Sequence, residues 1–260
     1  MTYFPTYDTC GKGRPLLVLN GFGCSNWFMK EIATKLSDHA HWVLSENRGM
    51  GSSPKVSEEY TVEDLASDAL TLMERLGHET FTLLGYSMGG FIAQALYLMA
   101  PERIDGMIML CATGPGSGFV ELPEVTEDML RASYDIPPED MIMANLKMTM
   151  YPDFEAENPE RYRMILERRL KNLADLDQLL LQFRAVQAFI EKPLPLDRIG
   201  CPTLILTGDT DRFVSPENSK LLAQAIPSSE YHVIENSDHL FFLEKPEPVS
   251  RFIGNFLEKL

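Results

Sequence analysis

Short apolar runs alternate with longer helical patterns along most of the chain, and this alternation restricts the fold more than any other feature. It predicts βαβ units, and hence an α/β fold with a mostly parallel sheet and helices on both faces. Several runs are apolar at nearly every position, as strands buried on both faces should be. The predicted strands are residues 16–20, 42–46, 81–85, 107–112, 203–207 and 231–234. The predicted helices are residues 26–36, 62–76, 88–99, 216–225 and 248–257.

The interval from about residue 119 to residue 198 breaks this alternation. It has helical periodicity interrupted by prolines, without a strand-like run. About 80 residues are too many for an ordinary crossover between two parallel strands. We therefore predict one core, formed by residues 1–118 and 199–260, with an inserted helical cap at residues 119–198.

Charge and composition narrow the class of protein and its partners. The 260 residues carry a formal net charge of −15, which disfavours nucleic acid and anionic membrane surfaces as partners. No signal peptide is visible, and no apolar segment reaches the length needed to span a bilayer. The four cysteines match neither a zinc pattern nor a disulfide scaffold. We expect a cytoplasmic protein that acts on a small molecule without a metal or other cofactor; its oligomeric state is not given by the sequence.

The strongest local signal is the G-x-S-x-G sequence at residues 85–89. A predicted strand ends at the first glycine and a predicted helix begins after Ser87, so the serine lies on a sharp strand-to-helix turn. Such a turn crowds the backbone, which explains a glycine two residues before the serine and another two residues after it. The turn also exposes the hydroxyl at the carboxyl edge of the sheet, beside a helix N-terminus that favours an oxyanion. Ser87 is therefore the candidate nucleophile.

In this pattern the chain resembles the α/β-hydrolase superfamily along almost its whole length. It is most similar to cap-bearing members that need no cofactor: carboxylesterases, enol-lactonases, meta-cleavage carbon–carbon hydrolases and bacterial non-haem haloperoxidases. The resemblance implies an α/β-hydrolase fold and a triad in the chain order Ser, Asp, His, with the last two members after the cap. Haloalkane dehalogenases and epoxide hydrolases of this fold carry a carboxylate where this chain has Ser87.

Two carboxylates and one histidine occupy suitable positions after the cap. Asp209 and Asp211 follow the predicted strand at 203–207, at the ligand-binding edge of a parallel sheet. In similar family segments the carboxylate directly before Arg-Phe-Val is catalytic, which implies Asp211 here; Asp209 stays the alternative, with a role in shaping the turn. His239 follows the predicted strand at 231–234. A serine needs an imidazole base, and the base needs a carboxylate that fixes its tautomer, so we predict the triad Ser87, Asp211 and His239.

Two further segments resemble parts of the family site. Asn20 and Gly21 stand where family members usually have His-Gly, and the resemblance implies that the backbone N–H groups of Phe22 and Met88 bind the oxyanion. Asn20 departs from the family's histidine, and we expect its amide to hold the loop in the same way. Residues 46–53 resemble the Asp-x-Arg-Gly-x-Gly-x-Ser loop, with Glu46 in place of Asp, and should brace the site.

These features imply hydrolysis of a small or medium carboxylic ester through an acyl-enzyme. Lactone hydrolysis, carbon–carbon cleavage and perhydrolysis use the same triad and stay open, and a non-catalytic ligand receptor is the alternative from another class. Arg131 and Arg184, in the predicted cap, are expected to be solvated helix charges. If one of them lined the cleft, it would pair with a substrate carboxylate and favour the lactone or carbon–carbon reaction.

Overall fold

A computed structural model describes residues 3–260, and within them one sheet contains seven strands. They are β1 (Tyr7–Gly11), β2 (Pro15–Leu19), β3 (His41–Ser45), β4 (Phe81–Tyr86), β5 (Ile104–Leu110), β6 (Thr203–Gly208) and β7 (Ser229–Ile234). Across the sheet they follow the order β1-β3-β2-β4-β5-β6-β7. β1 pairs antiparallel with β3, and the other neighbouring strands are parallel. The predicted α/β fold with a mostly parallel sheet is confirmed.

Helices fill most of the connections between these strands. The helices are α1 (Trp27–Lys35), α2 (Val62–Arg75), α3 (Met88–Met99), α4 (Glu127–Ser133), α5 (Pro138–Thr149), α6 (Phe154–Glu157), α7 (Pro159–Lys171), α8 (Leu176–Ile190), α9 (Pro216–Ala225), α10 (Phe241–Glu244) and α11 (Pro246–Leu257). All five helices predicted from the sequence are present. Among residues 3–260, no helix combines the length and apolar character needed to cross a membrane.

The sequence does not predict β1, and its environment explains why. The strand reads Tyr-Asp-Thr-Cys-Gly and lies at the edge of the sheet, with most of its residues exposed. It is held by backbone pairing with β3, from Tyr7 opposite Ser45 to Gly11 opposite His41. A strand that buries little apolar surface carries little hydrophobic periodicity, and periodicity is the main signal by which a strand is recognised.

The sheet is buried on both faces by separate groups of side chains. In β2, Leu16 and Val18 pack in one hydrophobic layer with α1 and α11, whereas Leu17 and Leu19 pack in the other with α2 and α3. All four leucine and valine side chains are buried. Because successive residues of a strand point to opposite faces, this continuous apolar run is what a central parallel strand requires.

The helices α4 to α8 lie between β5 and β6 in the chain, and α5 to α8 contribute buried side chains to the two layers of the core. Leu146 of α5 and Ile165 of α7 belong to the layer of α1 and α11. Phe189 of α8 belongs to the layer of α2 and α3, where its ring lies 5.5 Å from that of Phe91. These helices therefore share the hydrophobic core of the sheet instead of forming a core of their own.

The close crossing of α3 and β2 requires glycine at position 89. A Cβ atom there would collide with the backbone carbonyl of Leu19. We expect Gly89→Ala to lower the free energy of unfolding by about 1–3 kcal/mol, because the collision is with backbone and cannot be relieved by a rotamer change. Thermal or urea unfolding measures the difference. Gly118→Ala is the matched control, since a Cβ atom at Gly118 meets open space. Equal stability of the two variants would contradict the close packing of α3 on β2.

Candidate active site

Ser87 occupies a strained turn between β4 and α3. Its backbone has φ 51° and ψ −121°, a combination that residues with a side chain rarely adopt. Its N–H donates a hydrogen bond of 2.9 Å to the carbonyl of Leu110 at the end of β5, which anchors the turn to the sheet. A Cβ atom at Gly85 would collide with the Gly89 carbonyl, so the turn also requires this glycine. The turn thus has the tight geometry that the G-x-S-x-G sequence predicts.

The structure brings Ser87, His239 and Asp211 together at the carboxyl edge of the sheet. The Nε2 atom of His239 lies 3.1 Å from the Ser87 hydroxyl oxygen. The Nδ1 atom lies 2.9 and 3.1 Å from the two carboxylate oxygens of Asp211. One of these oxygens also accepts the backbone N–H groups of Phe213 and Val214, at 2.9 and 2.8 Å. The buried carboxylate is therefore fixed by its own turn and holds the imidazole toward the serine.

The Asp211 carboxylate beside His239 stabilises a positive charge on the imidazole ring. Burial of the ring by itself lowers the pKa, but the Asp211 carboxylate beside Nδ1 opposes this effect and outweighs it. The pKa of His239 is therefore raised well above its ordinary value. The same carboxylate therefore stabilises the imidazolium that forms when neutral His239 takes a proton from a nucleophile.

Cys111 is a neighbour of His239 that the sequence does not single out. The Cys111 side chain is fully buried. However, one potential ligand atom from each of Cys111, Asp211 and His239 lies within 4.8 Å of the other two. Burial raises the pKa of the Cys111 thiol, which favours its protonated form. Both ring nitrogens of His239 are already engaged, Nδ1 with Asp211 and Nε2 with Ser87, so the observed hydrogen bonds are those of a triad.

Asp209, the alternative acid, bonds to backbone N–H groups and not to His239. Its two carboxylate oxygens accept the backbone N–H groups of Asn236 and Ser237, at 2.9 and 3.0 Å. These bonds join the turn after β6 to the turn after β7, which is the shaping role that the sequence left open for Asp209. The geometry therefore favours Asp211 as the partner of the histidine.

Phe22 and Met88, the predicted oxyanion donors, lie in a tight turn and at a helix start. Phe22 follows Gly21, whose carbonyl accepts the N–H of Cys24 at 3.2 Å and closes the turn. Met88 is the first residue of α3. The N–H groups in the first turn of a helix have no acceptor within that helix, so the Met88 amide is suited to bind an anion beside Ser87.

Asn20 holds the start of this turn with both ends of its buried amide. Its NH₂ group donates to the carbonyl of Ser45 at 2.7 Å, and its oxygen accepts the hydroxyl of Tyr86 at 3.3 Å. Glu46 caps the adjacent helix by accepting the N–H of Asn26 at 3.2 Å, and burial raises the pKa of Glu46 to about 7. The asparagine therefore secures the loop in this chain, where family members usually have a histidine.

The loop at residues 46–53 is braced by an ion pair to α2. The guanidinium group of Arg48 donates to both carboxylate oxygens of Asp68, at 2.5 and 3.0 Å. It also lies over the rings of Tyr3 and Tyr60, at 5.1 and 5.5 Å from their centroids. Asp68 is on α2, and Tyr60 belongs to the core layer of that helix. The contacts of Arg48 therefore hold the loop at residues 46–53 in place against α2.

A second set of charged residues supports the loop of His239, and sequence reasoning missed it. The buried Asp238 carboxylate accepts the backbone N–H of His239 at 2.8 Å and the guanidinium of Arg212 at 2.5 Å. Glu244 is also buried; it accepts the N–H of Tyr151 at 3.2 Å and that of Asp238 at 3.4 Å. Burial raises the pKa of Glu244 to about 8. The sequence signal for this set was the position of its two acidic residues: Asp238 directly precedes His239, and Glu244 follows the apolar residues 240–243.

Arg131 and Arg184 pair with the same carboxylate on the surface. Arg184 donates to both oxygens of Glu127, at 2.6 and 2.9 Å, and Arg131 lies 3.5 Å from one of them. The two arginine side chains are 51% and 41% exposed, respectively, and line an open surface cavity of about 350 Å³ with Val56 and Leu180. They are therefore solvated helix charges, as expected, that already have a partner.

Comparisons with known proteins identify the family and the fold of the chain. Residues 16–252 match the model of a family described as the alpha/beta hydrolase family. The 2-hydroxy-6-oxononadienedioate/2-hydroxy-6-oxononatrienedioate hydrolase 2 of Pseudomonas putida is 29% identical over 97% of this chain and 91% of the relative. A solved thermophilic esterase from Thermogutta terrifontis is 25% identical, with a TM-score of 0.83 over 98% of this chain and 93% of the esterase. A solved N-acyl homoserine lactone degrading enzyme is 25% identical, with a TM-score of 0.79 over 97% of this chain and 96% of that enzyme.

The raised pKa of Glu244 predicts a pH-dependent cost in stability. The folded protein keeps the proton up to a pKa of about 8, whereas an unfolded glutamate releases it near 4.5, so unfolding is favoured as pH rises through this window. The amide introduced by Glu244→Gln cannot titrate and keeps an oxygen for the Tyr151 N–H. The melting temperature of this variant relative to the wild type should therefore rise from pH 5 to pH 8. Glu121→Gln, at an exposed position, is the control. A difference that is constant or shrinks with pH would refute this assignment.

Proposed function

Because the chain belongs to the α/β-hydrolase family, we propose that it is a serine hydrolase that cleaves a small or medium carboxylic ester. One observation carries the proposal: the continuous hydrogen-bonded row from the Ser87 hydroxyl through His239 to Asp211, with contacts of 3.1 and 2.9 Å. A nucleophile within reach of a base, and a base oriented by a carboxylate, are the elements of acyl transfer.

The proposed reaction has two steps. The Ser87 hydroxyl oxygen attacks the ester carbonyl while His239 Nε2 takes its proton and then gives that proton to the leaving alcohol. Asp211 holds the Nδ1 proton in place and stabilises the imidazolium that forms in between. Water, activated by the same nitrogen, then attacks the acyl-enzyme, releases the acid and regenerates Ser87. The backbone N–H groups of Phe22 and Met88 are the proposed donors to the oxyanion in both steps.

We propose that residues 119–198 form a cap over this site, with residues 1–118 and 199–260 as the core. The proposal is supported by contacts between α8 and the turn that carries Phe22. The ring of Phe183 lies 6.3 Å from that of Phe22, in an edge-on arrangement. Half-buried aromatic rings at this position offer an apolar wall to an acyl chain.

The charge distribution supports a neutral ester over a doubly charged substrate. The Pseudomonas putida relative is named for hydrolysis of a dienedioate, which has two carboxylates that need cationic partners. Arg131 and Arg184, the two candidates from the sequence, are already paired with Glu127. Carbon–carbon cleavage therefore ranks below ester hydrolysis. A lactone is a cyclic neutral ester, and the similarity to the lactone-degrading enzyme supports lactones as the second candidate substrate class.

Covalent labelling and a substrate series test the proposed function. A fluorophosphonate should modify Ser87 and no other serine, since this hydroxyl has a base within reach. Ser87→Ala should lose the label and at least roughly a thousandfold of the turnover of p-nitrophenyl esters. With neutral acyl chains of increasing length, binding should tighten about fourfold per added carbon until the pocket is full.

The same series contains the results that would contradict the proposal. Turnover near background on all esters and lactones would favour the non-catalytic receptor. A preference for esters with a terminal carboxylate, abolished by Arg184→Ala or Arg131→Ala, would replace ester hydrolysis with the anionic-lactone or carbon–carbon reaction. Near-normal turnover by Ser87→Ala would exclude Ser87 as the nucleophile.

The two carboxylates after β6 give a matched test of the triad. Asp211→Asn should lower kcat by a factor on the order of 10⁴, because an amide favours the wrong tautomer of His239. Asp209→Asn keeps one acceptor for the turn and should lower the melting temperature more than kcat. Steady-state kinetics and thermal unfolding of both variants measure the difference. A larger loss of kcat in Asp209→Asn would assign the orienting role to Asp209.

A further inference from the structure

We infer that Gln182 of α8 is a positioning residue for the turn that presents the Phe22 N–H to the oxyanion; the inference rests on the proposed function. The Gln182 side chain is fully buried, and its Oε1 atom accepts the backbone N–H of Gly23 at 2.7 Å. This bond joins two residues that are 159 positions apart in the chain. It therefore links α8 directly to the residue after the proposed donor.

The turn needs such an external contact because its third position is a glycine. Gly23 has φ +64°, in the left-handed region, and glycine has no side chain to restrict rotation of the adjoining peptide. Two bonds hold the peptide between Phe22 and Gly23. Its carbonyl accepts the Cys24 thiol at 3.3 Å, and its N–H donates to Gln182. Loss of the bond to Gln182 would free one side of this peptide and let the Phe22 N–H change direction.

Neighbouring side chains of α8 close over the same turn. A Cβ atom at Gly23 would touch the side chain of Leu179, and the ring of Phe183 packs edge-on against that of Phe22. Residues 179, 182 and 183 are spaced by three and four positions, so they share one face of the helix. The hydrogen bond of Gln182 therefore lies within a packed contact that limits the access of water to the Gly23 N–H.

The other end of the Gln182 amide indicates that this residue serves more than packing. Only an oxygen can face the Gly23 N–H, so the orientation of the amide is fixed. Its Nε2 atom is then buried, without a hydrogen-bond partner among the described residues. A buried donor without an acceptor is costly, and a methionine of similar size would avoid that cost. The single bond to Gly23, in the turn at residues 21–24 (the oxyanion turn), explains why a glutamine occupies this position.

The matched variants are Gln182→Met and Gln178→Met. Gln178 is buried on the same helix one turn earlier, and its amide also bridges α8 to a core loop, through bonds of 2.9 and 2.8 Å with Val56. It does not bond to the oxyanion turn. Each variant is assayed with p-nitrophenyl butyrate, and kcat is expressed per fluorophosphonate-reactive site, so that a loss of folded protein does not enter the result.

Gln182→Met should lower kcat about tenfold to a hundredfold with KM changed less than about threefold, since the oxyanion forms only after substrate binds. The Ki of an alkyl trifluoromethyl ketone, which forms a tetrahedral oxyanion with the serine, should rise by a similar factor. Gln178→Met should change neither value by more than about threefold.

Three results would overturn the role of Gln182: unchanged kcat in Gln182→Met, an equal loss in Gln178→Met, or a loss confined to KM. An inactive wild type whose Ser87 resists the fluorophosphonate would instead overturn the proposed function itself.

Discussion

The strained turn at Ser87 is the feature on which the rest of the site depends. A left-handed backbone at a residue with a side chain is unfavourable and persists only where its surroundings enforce it. Here β4 and most of α3 are buried, Gly89 lies directly against the backbone of β2, and the Ser87 N–H is bonded to Leu110. The packing of the sheet thus stabilises a conformation that places the hydroxyl at the carboxyl edge, where β6 and β7 also end.

Four buried or turn-forming carboxylates fix the loops after β6 and β7 at this edge of the sheet. Asp211 accepts two backbone N–H groups as well as the histidine, so its position is set before any substrate binds. Asp209 and Asp238 bond to backbone around His239, and Glu244 ties the same loop to Tyr151, two residues after the end of α5. Catalytic groups whose orientation is fixed in advance need no reorganisation when charge develops, which is the main electrostatic advantage of a folded site.

The parts of the site that could be predicted from sequence are those encoded locally. Ser87 is marked by its flanking glycines, and Asp211 and His239 each follow a short strand that the sequence predicts. The contact of Cys111 with His239 and that of Gln182 with Gly23 depend on how distant elements pack, and neither pair has a spacing that reveals it. The edge strand β1 could not be predicted for a different reason: it buries too few side chains to show a hydrophobic pattern.

The helices between β5 and β6 reach both sides of the triad. On one side, α8 contacts the turn of Phe22 through Gln182. On the other side, the end of α5 accepts hydrogen bonds from the loops that carry His239 and Asp211: the carbonyl of Thr149 from the Leu240 N–H at 3.0 Å, and that of Met150 from the Arg212 guanidinium at 2.6 Å. Since these helices also share the core layers of the sheet, their packing and the geometry of the triad are not independent. A substitution among them can therefore alter the rate of the chemical step without contacting the substrate.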